Sequence, residues 1–293
     1  MKEVLITIIT PVFNREDKIG NLYKSLINQT NHDFIWLIID DGSNDGTHDA
    51  IIQYQEEGLL NIEVHREKNQ GKHVAHNYAV SIVKTKLLVC VDSDDELVPD
   101  AVDSILSFYQ QNKVKMTSDV AGIIAWKGFS LTKKIGTYPT SMEPSSLFDL
   151  YNKRSMTGDV MLIFCSNVIK QYPFPVFKGE KFLRESISYN KIDEKYHYLI
   201  LDKILYIADY YEDGLSRNAT KLEHQSPRGA ALFRWDEYKH SKKLNGKLRN
   251  LIGFTYYNRL ARENRETIKK IGLMFPVFWI LSFIGDYYYK NKI

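Results

Sequence analysis

The sequence has little cysteine. Cys90 and Cys165 are the only two in 293 residues. Two cysteines cannot build a disulfide framework, so the fold must rest on a packed core, and a reducing compartment is expected. Cys90 lies within an apolar run and reads as a buried free thiol. Long apolar runs are missing too: residues 271–285 stay uncharged for 15 positions, short of the roughly 20 that a spanning helix needs. No secretory leader is expected, because "MKEVLITIITPVFN" enters a strand-like run with no small-residue cleavage site. There is no G-x-G-x-x-G, no Walker-type glycine loop and no His/Cys cluster at zinc spacing. These absences argue against a dinucleotide enzyme, a P-loop nucleotidase and a zinc site.

Charge is present but unevenly placed. From Leu215 onward there are 16 Lys/Arg against 6 Asp/Glu, a balance of +10, whereas residues 1–214 carry 23 against 30, a balance of −7. The shift suggests a body at 1–214 and a basic helical region at 215–293 that meets an anionic partner. Within that region, residues 271–285 are flanked by Lys269 and Lys270 and by "DYYYKNK". Basic residues and tyrosines beside an apolar segment suit a helix lying in a membrane interface. A buried terminal helix, or one that pairs with a second subunit in a homo-oligomer, is the alternative.

Along the first 110 residues, β-branched apolar runs alternate with segments of helical periodicity. "VLITIITPVF", "DFIWLIIDD", "NIEVHRE" and "KLLVCVDSDDE" read as strands, the first stopping at Pro11. "REDKIGNLYKSLINQT", "DGTHDAIIQYQEEG", "GKHVAHNYAVSIVK" and "PDAVDSILSFYQQNK" read as helices. Such alternation implies βαβ units and a mostly parallel sheet. Ligands of such sheets bind at the carboxyl ends of the strands. The polar clusters "TPVFN", "DDGSNDG" and "DSDDE" fall at three of those ends. Beyond residue 120 two further strands and a helix–strand pair follow.

The acid cluster "DSDDE" asks for a counter-charge. Asp92 and Asp94 are one residue apart, and i and i+2 of an extended strand face the same side. Two such carboxylates can hold one magnesium or manganese ion; alternatively the cluster is a solvated turn that caps the next helix. Asp40 and Asp41 end another strand, where a carboxylate can accept a hydrogen bond from a base or ribose. "NQGKHVAHN" places Lys72 at a helix N-terminus, which suits phosphate. An ordinary capped helix with His73 and His76 on its surface is the other reading.

"TPVFN", "DDGSNDGT", "GKHVAHN" and "VDSDDE", in this order at strand–helix junctions, resemble the family 2 glycosyltransferases and their GT-A fold. The resemblance spans roughly residues 1–215 and is tightest over the first 110. It implies an α/β GT-A fold with a mixed, mostly parallel central sheet, a nucleotide-diphosphate-sugar donor, UDP above others, and inversion at the anomeric carbon. It assigns Thr10, Pro11 and Phe13 to the base pocket and Asp41 to the uracil. It assigns Asp92 to ribose or metal, Asp94 to a Mn2+ or Mg2+ bridging the diphosphate, Asp95 to their support and Lys72 to the nucleotide. The family's base lies in a Glu-Asp motif at a later helix start, and this sequence has no such pair in "VFKGEKFLRESISYNKI". Glu185 matches by its spacing to Tyr189, and Glu180 is its rival. "YYEDGLSRNAT" resembles a loop in which Ser216 and Arg217 close over the diphosphate.

The resemblance implies an enzyme of bacterial polysaccharide synthesis with a glycan acceptor; the basic end and residues 271–285 suggest that the acceptor is polyprenyl-linked and the protein peripheral at the cytoplasmic face of the membrane. Nucleic acid is not an expected partner, since strand-end acids oppose a phosphate backbone. The rival readings are a nucleotidyltransferase, which lacks its glycine-rich loop here, and a non-catalytic membrane or nucleic-acid binding module.

Overall fold

The computed structural model describes residues 4–208 and 218–290, with the backbone alone for 284–290. In chain order the elements are β1 (Ile6–Val12), α1 (Ile19–Ile27), β2 (Phe34–Asp40), α2 (Thr47–Glu57), β3 (Ile62–Arg66), α3 (Lys72–Ile82) and β4 (Leu87–Cys90). There follow β5 (Glu96–Leu97), α4 (Ala101–Gln111), β6 (Val120–Gly128), α5 (Leu147–Asn152), β7 (Val160–Cys165), α6 (Ser166–Ile169), α7 (Ser186–Asp193) and β8 (His197–Ile207). The chain closes with α8 (Ala219–Gln225), α9 (Pro227–His240), α10 (Leu244–Leu260), α11 (Asn264–Ile271) and α12 (Phe275–Lys290).

The strands form one sheet in the order β3-β2-β1-β4-β7-β6-β8-β5. β1, β2, β3 and β4 are parallel, as their alternation with helices requires. β7 enters antiparallel between β4 and β6, β6 runs parallel to β8, and the two-residue β5 pairs antiparallel with β8. The sheet is therefore mixed and mostly parallel. Period-2 alternation sends Ile6, Ile8, Trp36, Ile38 and Val89 to one face, where α1 and α4 cover them with Leu22, Leu26 and Ile105. Ile9, Leu37, Ile39 and Leu88 face the other side, under Ala75 and Ala79 of α3. Each fully buried Ile or Leu contributes about 1.5–3 kcal/mol, so both faces are needed to hold the central strands.

β1 runs one residue past Pro11, to Val12. Pairing with β4 ends at Ile9, whose carbonyl accepts the Val91 N–H. Val12 still bonds toward β2, through its carbonyl and the Asp41 N–H. Backbone polarity alternates along a parallel strand, so the missing N–H of Pro11 falls on the side that β4 has already left.

The chain divides into two compact units: Met1–Pro173 with Tyr189–Asp209, and Phe174–Ser188 with Tyr210–Ile293. The expected boundary at 214/215 lies outside the described residues. The first unit holds the sheet. In the second, Phe254, Tyr256 and Tyr257 of α10 pack with Ala230 and Ala231 of α9. Beside them Glu223 is buried, paired with Arg184 at 2.8 Å and Arg234 at 3.1 Å, and it accepts the Tyr257 hydroxyl at 3.0 Å. No helix among the described residues is long and apolar enough to cross a membrane.

Candidate active site

The carboxyl ends of β1, β2, β3 and β4 lie on one edge of the sheet, because the four strands are parallel. Asp40 ends β2 fully buried. Its Oδ1 accepts the Ser43 N–H at 2.8 Å, and its Oδ2 lies 3.1 Å from His48 Nδ1 and 3.3 Å from Arg66 Nε. Asp40 thus fastens the turn after β2 to the end of β3. The same turn is tied to the end of β1: Ser43 Oγ accepts the Asn14 N–H and Thr47 Oγ1 accepts the Arg15 N–H.

Asp41 is 4 % exposed. Its two oxygens accept the N–H groups of Gln70 and Gly71, each at 2.8 Å, so it clamps the loop that leads into α3. Gly42 follows at φ 75°, and a Cβ there would stand 2.8 Å from the Asn69 nitrogen, so the two loops touch only because this residue is glycine. Asn69 Oδ1 is buried with no hydrogen-bond partner among the described residues. Phe13, directly after the strand end that bonds Asp41, is 40 % exposed. Thr10 is buried, and its hydroxyl accepts the Trp36 indole N–H at 2.9 Å. Pro11 is buried as well. Of the three residues expected around a base, Phe13 alone presents a substantial surface.

The acid cluster is a turn, not the extended strand expected from its sequence. β4 stops at Cys90, and the Asp95 N–H donates to the Asp92 carbonyl at 3.1 Å. The side-by-side placement argued from alternation therefore does not apply to Asp92 and Asp94. Glu96 begins β5 rather than the next helix. Each acid finds a separate partner. Lys72 Nζ lies 2.7 Å from Asp92 Oδ1, and Arg15 Nε lies 3.5 Å from Asp94 Oδ2. The Asp92 N–H donates to Tyr206 Oη at 3.0 Å, and Tyr206 donates onward to Asp95 Oδ2 at 2.7 Å. Lys127 Nζ lies 3.9 Å from the centre of the Tyr206 ring.

These contacts divide the acids electrostatically. Burial pushes the Asp92 carboxyl up, but the ammonium groups of Lys72 and Lys127 outweigh it and hold the group below the usual range. Burial, then the charge of Asp92, pushes Asp95 up to about 7. Burial also lifts the Tyr206 hydroxyl well above its ordinary value, so it stays a donor.

The second oxygens of Asp92 and Asp94 carry no hydrogen bond or ion pair among the described residues, and these side chains are 34 % and 19 % exposed. No group of three or more His, Cys, Asp or Glu gathers to hold a metal among the described residues. Carboxylate oxygens such as these are hard donors of the kind that suits magnesium or manganese.

His73 and His76 are 5 % and 4 % exposed, not on the surface of α3, and burial pulls the His73 ring below its usual range. Cys90 and Cys165 form no disulfide among the described residues, and both are half-buried rather than fully buried. Glu185 immediately precedes α7, and its carbonyl accepts the Ser188 N–H. Glu180 has another role: its two carboxylate oxygens accept the N–H groups of Arg228 and Gly229, each at 2.8 Å, and so cap α9. Ser216 and Arg217 lie outside the described residues. Asn69 opens the "NQGKHVAHN" segment but has no role assigned from the sequence, and neither do Arg15, Lys127 and Tyr206. Arg15 sits beside "TPVFN" and could have been found there, whereas Lys127 and Tyr206 reach the acids only through sheet pairing.

The fold brings these acids together at the carboxyl edge of the parallel strands, where ligands of such sheets bind. A sequence profile described as glycosyl transferase family 2 matches residues 7–174, more than half of the chain. The chain belongs to that family. It is 27% identical over 208 residues to a poly(ribitol-phosphate) beta-glucosyltransferase of Bacillus spizizenii, covering 67% of this chain and 32% of the relative. It is 26% identical over 132 residues to the poly(ribitol-phosphate) beta-N-acetylglucosaminyltransferase TarP of Staphylococcus aureus, covering 44% of this chain and 40% of the relative. The chain spans about half or less of the length of such relatives. Among solved structures, S. aureus TarS 1-349 in complex with UDP-GlcNAc superposes with a TM-score of 0.59 at 18% identity, covering 94% of this chain and 88% of that one. A mannosyltransferase of Pyrobaculum calidifontis in complex with GDP-Man and Mn2+ gives 0.56 at 14%, covering 99% and 83%. At these identities the likeness establishes the GT-A fold alone.

Proposed function

We propose that this chain is an inverting glycosyltransferase that moves a sugar from a nucleoside diphosphate, UDP above others, to a hydroxyl of a glycan or lipid-linked glycan. The observation that carries this reading is the strand-end cluster in which Asp92 and Asp94 stand among Lys72, Lys127 and Arg15. Acids and bases interleaved at one sheet edge suit a diphosphate better than either sign alone. The named activities of the relatives, transfer of glucose or N-acetylglucosamine to poly(ribitol-phosphate), support a surface-polymer acceptor.

Each residue then has a task. Phe13 offers its ring to the base, while Asp41 and the unpartnered Asn69 Oδ1 supply acceptors beside it. Lys72, at the first turn of α3, and Arg15 meet the diphosphate, adding charge-assisted bonds that strengthen as the leaving group gains charge. Asp92 and Asp94 would hold magnesium or manganese, which supplies further neutralisation of that charge when bound. Glu185, matched by its spacing to Tyr189, takes the proton of the attacking hydroxyl, whereas Glu180 caps α9. Arg217 remains a candidate phosphate ligand from its sequence.

Thermal-shift measurements against nucleotide sugars, with and without manganese, test the reading together with product analysis. One donor should stabilise the protein in a metal-dependent way, and turnover should release a nucleoside diphosphate. Release of pyrophosphate would overturn it in favour of nucleotidyl transfer.

A further inference from the structure

The second unit carries an apolar face that the sugar-transfer reading does not use. α12 packs inward through Phe278 and Ser282, which are 2 % and 0 % exposed. Its outer side, with the single 3-10 turn Gly272–Met274 before it, presents Leu273, Met274, Val277, Ile280 and Phe283. Leu273 is 100 % exposed and Ile280 68 %. Positions 273, 277 and 280 recur at helical spacing, so they form one stripe rather than scattered side chains. Gly272, at φ 55°, carries the chain from α11 into this turn. α11, directly before the stripe in the chain, carries the exposed cations Arg265 and Lys269 against one exposed acid, Glu266, while the Lys270 ammonium lies over the Trp235 and Phe254 rings.

We propose that this face of α12 and the turn before it dock on an anionic lipid surface. Leucine, isoleucine and phenylalanine side chains fully or half in water are costly unless something covers them. The charge identifies the cover. Residues 215–293 carry a balance of +10, so two copies brought together through this region repel, whereas an anionic surface attracts both the stripe and the cations before it. With one exposed apolar side over its residues 275–283, and too short to cross, α12 has the form of a helix lying in the headgroup region. The inference stands apart from donor and acceptor chemistry, and its readout is lipid binding, not sugar transfer.

The test is co-sedimentation of the full chain with vesicles of phosphatidylglycerol mixed with phosphatidylcholine, and with phosphatidylcholine alone. Binding is expected to the anionic vesicles only, weakening as salt is raised. The double variant Leu273→Ser, Ile280→Ser should bind about tenfold more weakly or worse, and Arg265→Glu with Lys269→Glu should also weaken binding. All four positions are exposed, so thermal melting should be unchanged in both variants. No binding to anionic vesicles, or binding that survives the Leu273/Ile280 change, overturns the proposal. So does a dimer that the same double variant dissociates while vesicles go unbound, since the stripe would then join two copies.

Discussion

Lys72 Nζ lies 2.7 Å from Asp92 Oδ1. A cation from the first turn of one helix thereby neutralises an acid on the turn after a neighbouring strand. The pair is partly exposed, so it adds little to stability, and in the proposed reading it holds a cation for the donor diphosphate. Lys72→Met should leave the fold intact and raise the donor KM about tenfold. Steady-state kinetics over a donor series reads this, and an unchanged KM would remove Lys72 from the site.

Asp94→Asn removes one of the two carboxylates assigned to the cation and keeps the side chain's size. The metal-dependent part of donor stabilisation should vanish while the metal-free part persists. A thermal-shift titration with manganese separates the two. Full metal dependence in the variant would move the cation elsewhere.

Glu185→Gln should preserve donor binding and lower kcat by about 100-fold or more. Glu180→Gln should act on stability instead, costing about 1 kcal/mol, because its carboxylate caps α9. Comparing turnover with urea melts for both variants decides the assignment. Normal turnover in the Glu185 variant would reject it as the base.

Asp95 has a folded-state pKa of about 7 against the ordinary 3.8. Between those values the folded chain keeps a proton that the unfolded chain releases. Stability from this group therefore falls as pH rises from about 4 to about 7. Asp92, held low, acts below that window. In metal-free buffer, Asp95→Asn should lose less stability between about pH 5 and about pH 8 than the parent, by at most about 3 kcal/mol. Parallel pH slopes in urea melts would show that Asp95 titrates normally.

Gly122→Ala tests the seam between β6 and β7. Gly122 has φ 155°, and a Cβ there would lie 2.0 Å from the Ile163 carbonyl oxygen. The ladder must open to admit a methyl group, at a cost of about 2 kcal/mol or more. A denaturant midpoint equal to the parent's would mean that the strands yield freely.

The sequence by itself determined the alternating strands and helices, and hence the parallel half of the sheet, because periodicity is a local property. It also placed polar residues at three strand ends, since a ligand site must lie where parallel strands stop. The tertiary structure alone decided what those acids meet. Local alternation read Asp92 and Asp94 as strand neighbours, whereas the chain turns there and sends one to Lys72 and the other to Arg15. Tyr206, 111 positions from Asp95, reaches it only because β8 closes that side of the sheet. Glu180 and Glu185 look alike in sequence, and the Arg228 and Gly229 N–H groups that Glu180 accepts lie 48 and 49 positions further along the chain. Partners so distant along the chain leave no periodic trace, so the counter-charges of the acid cluster become visible only in the folded protein.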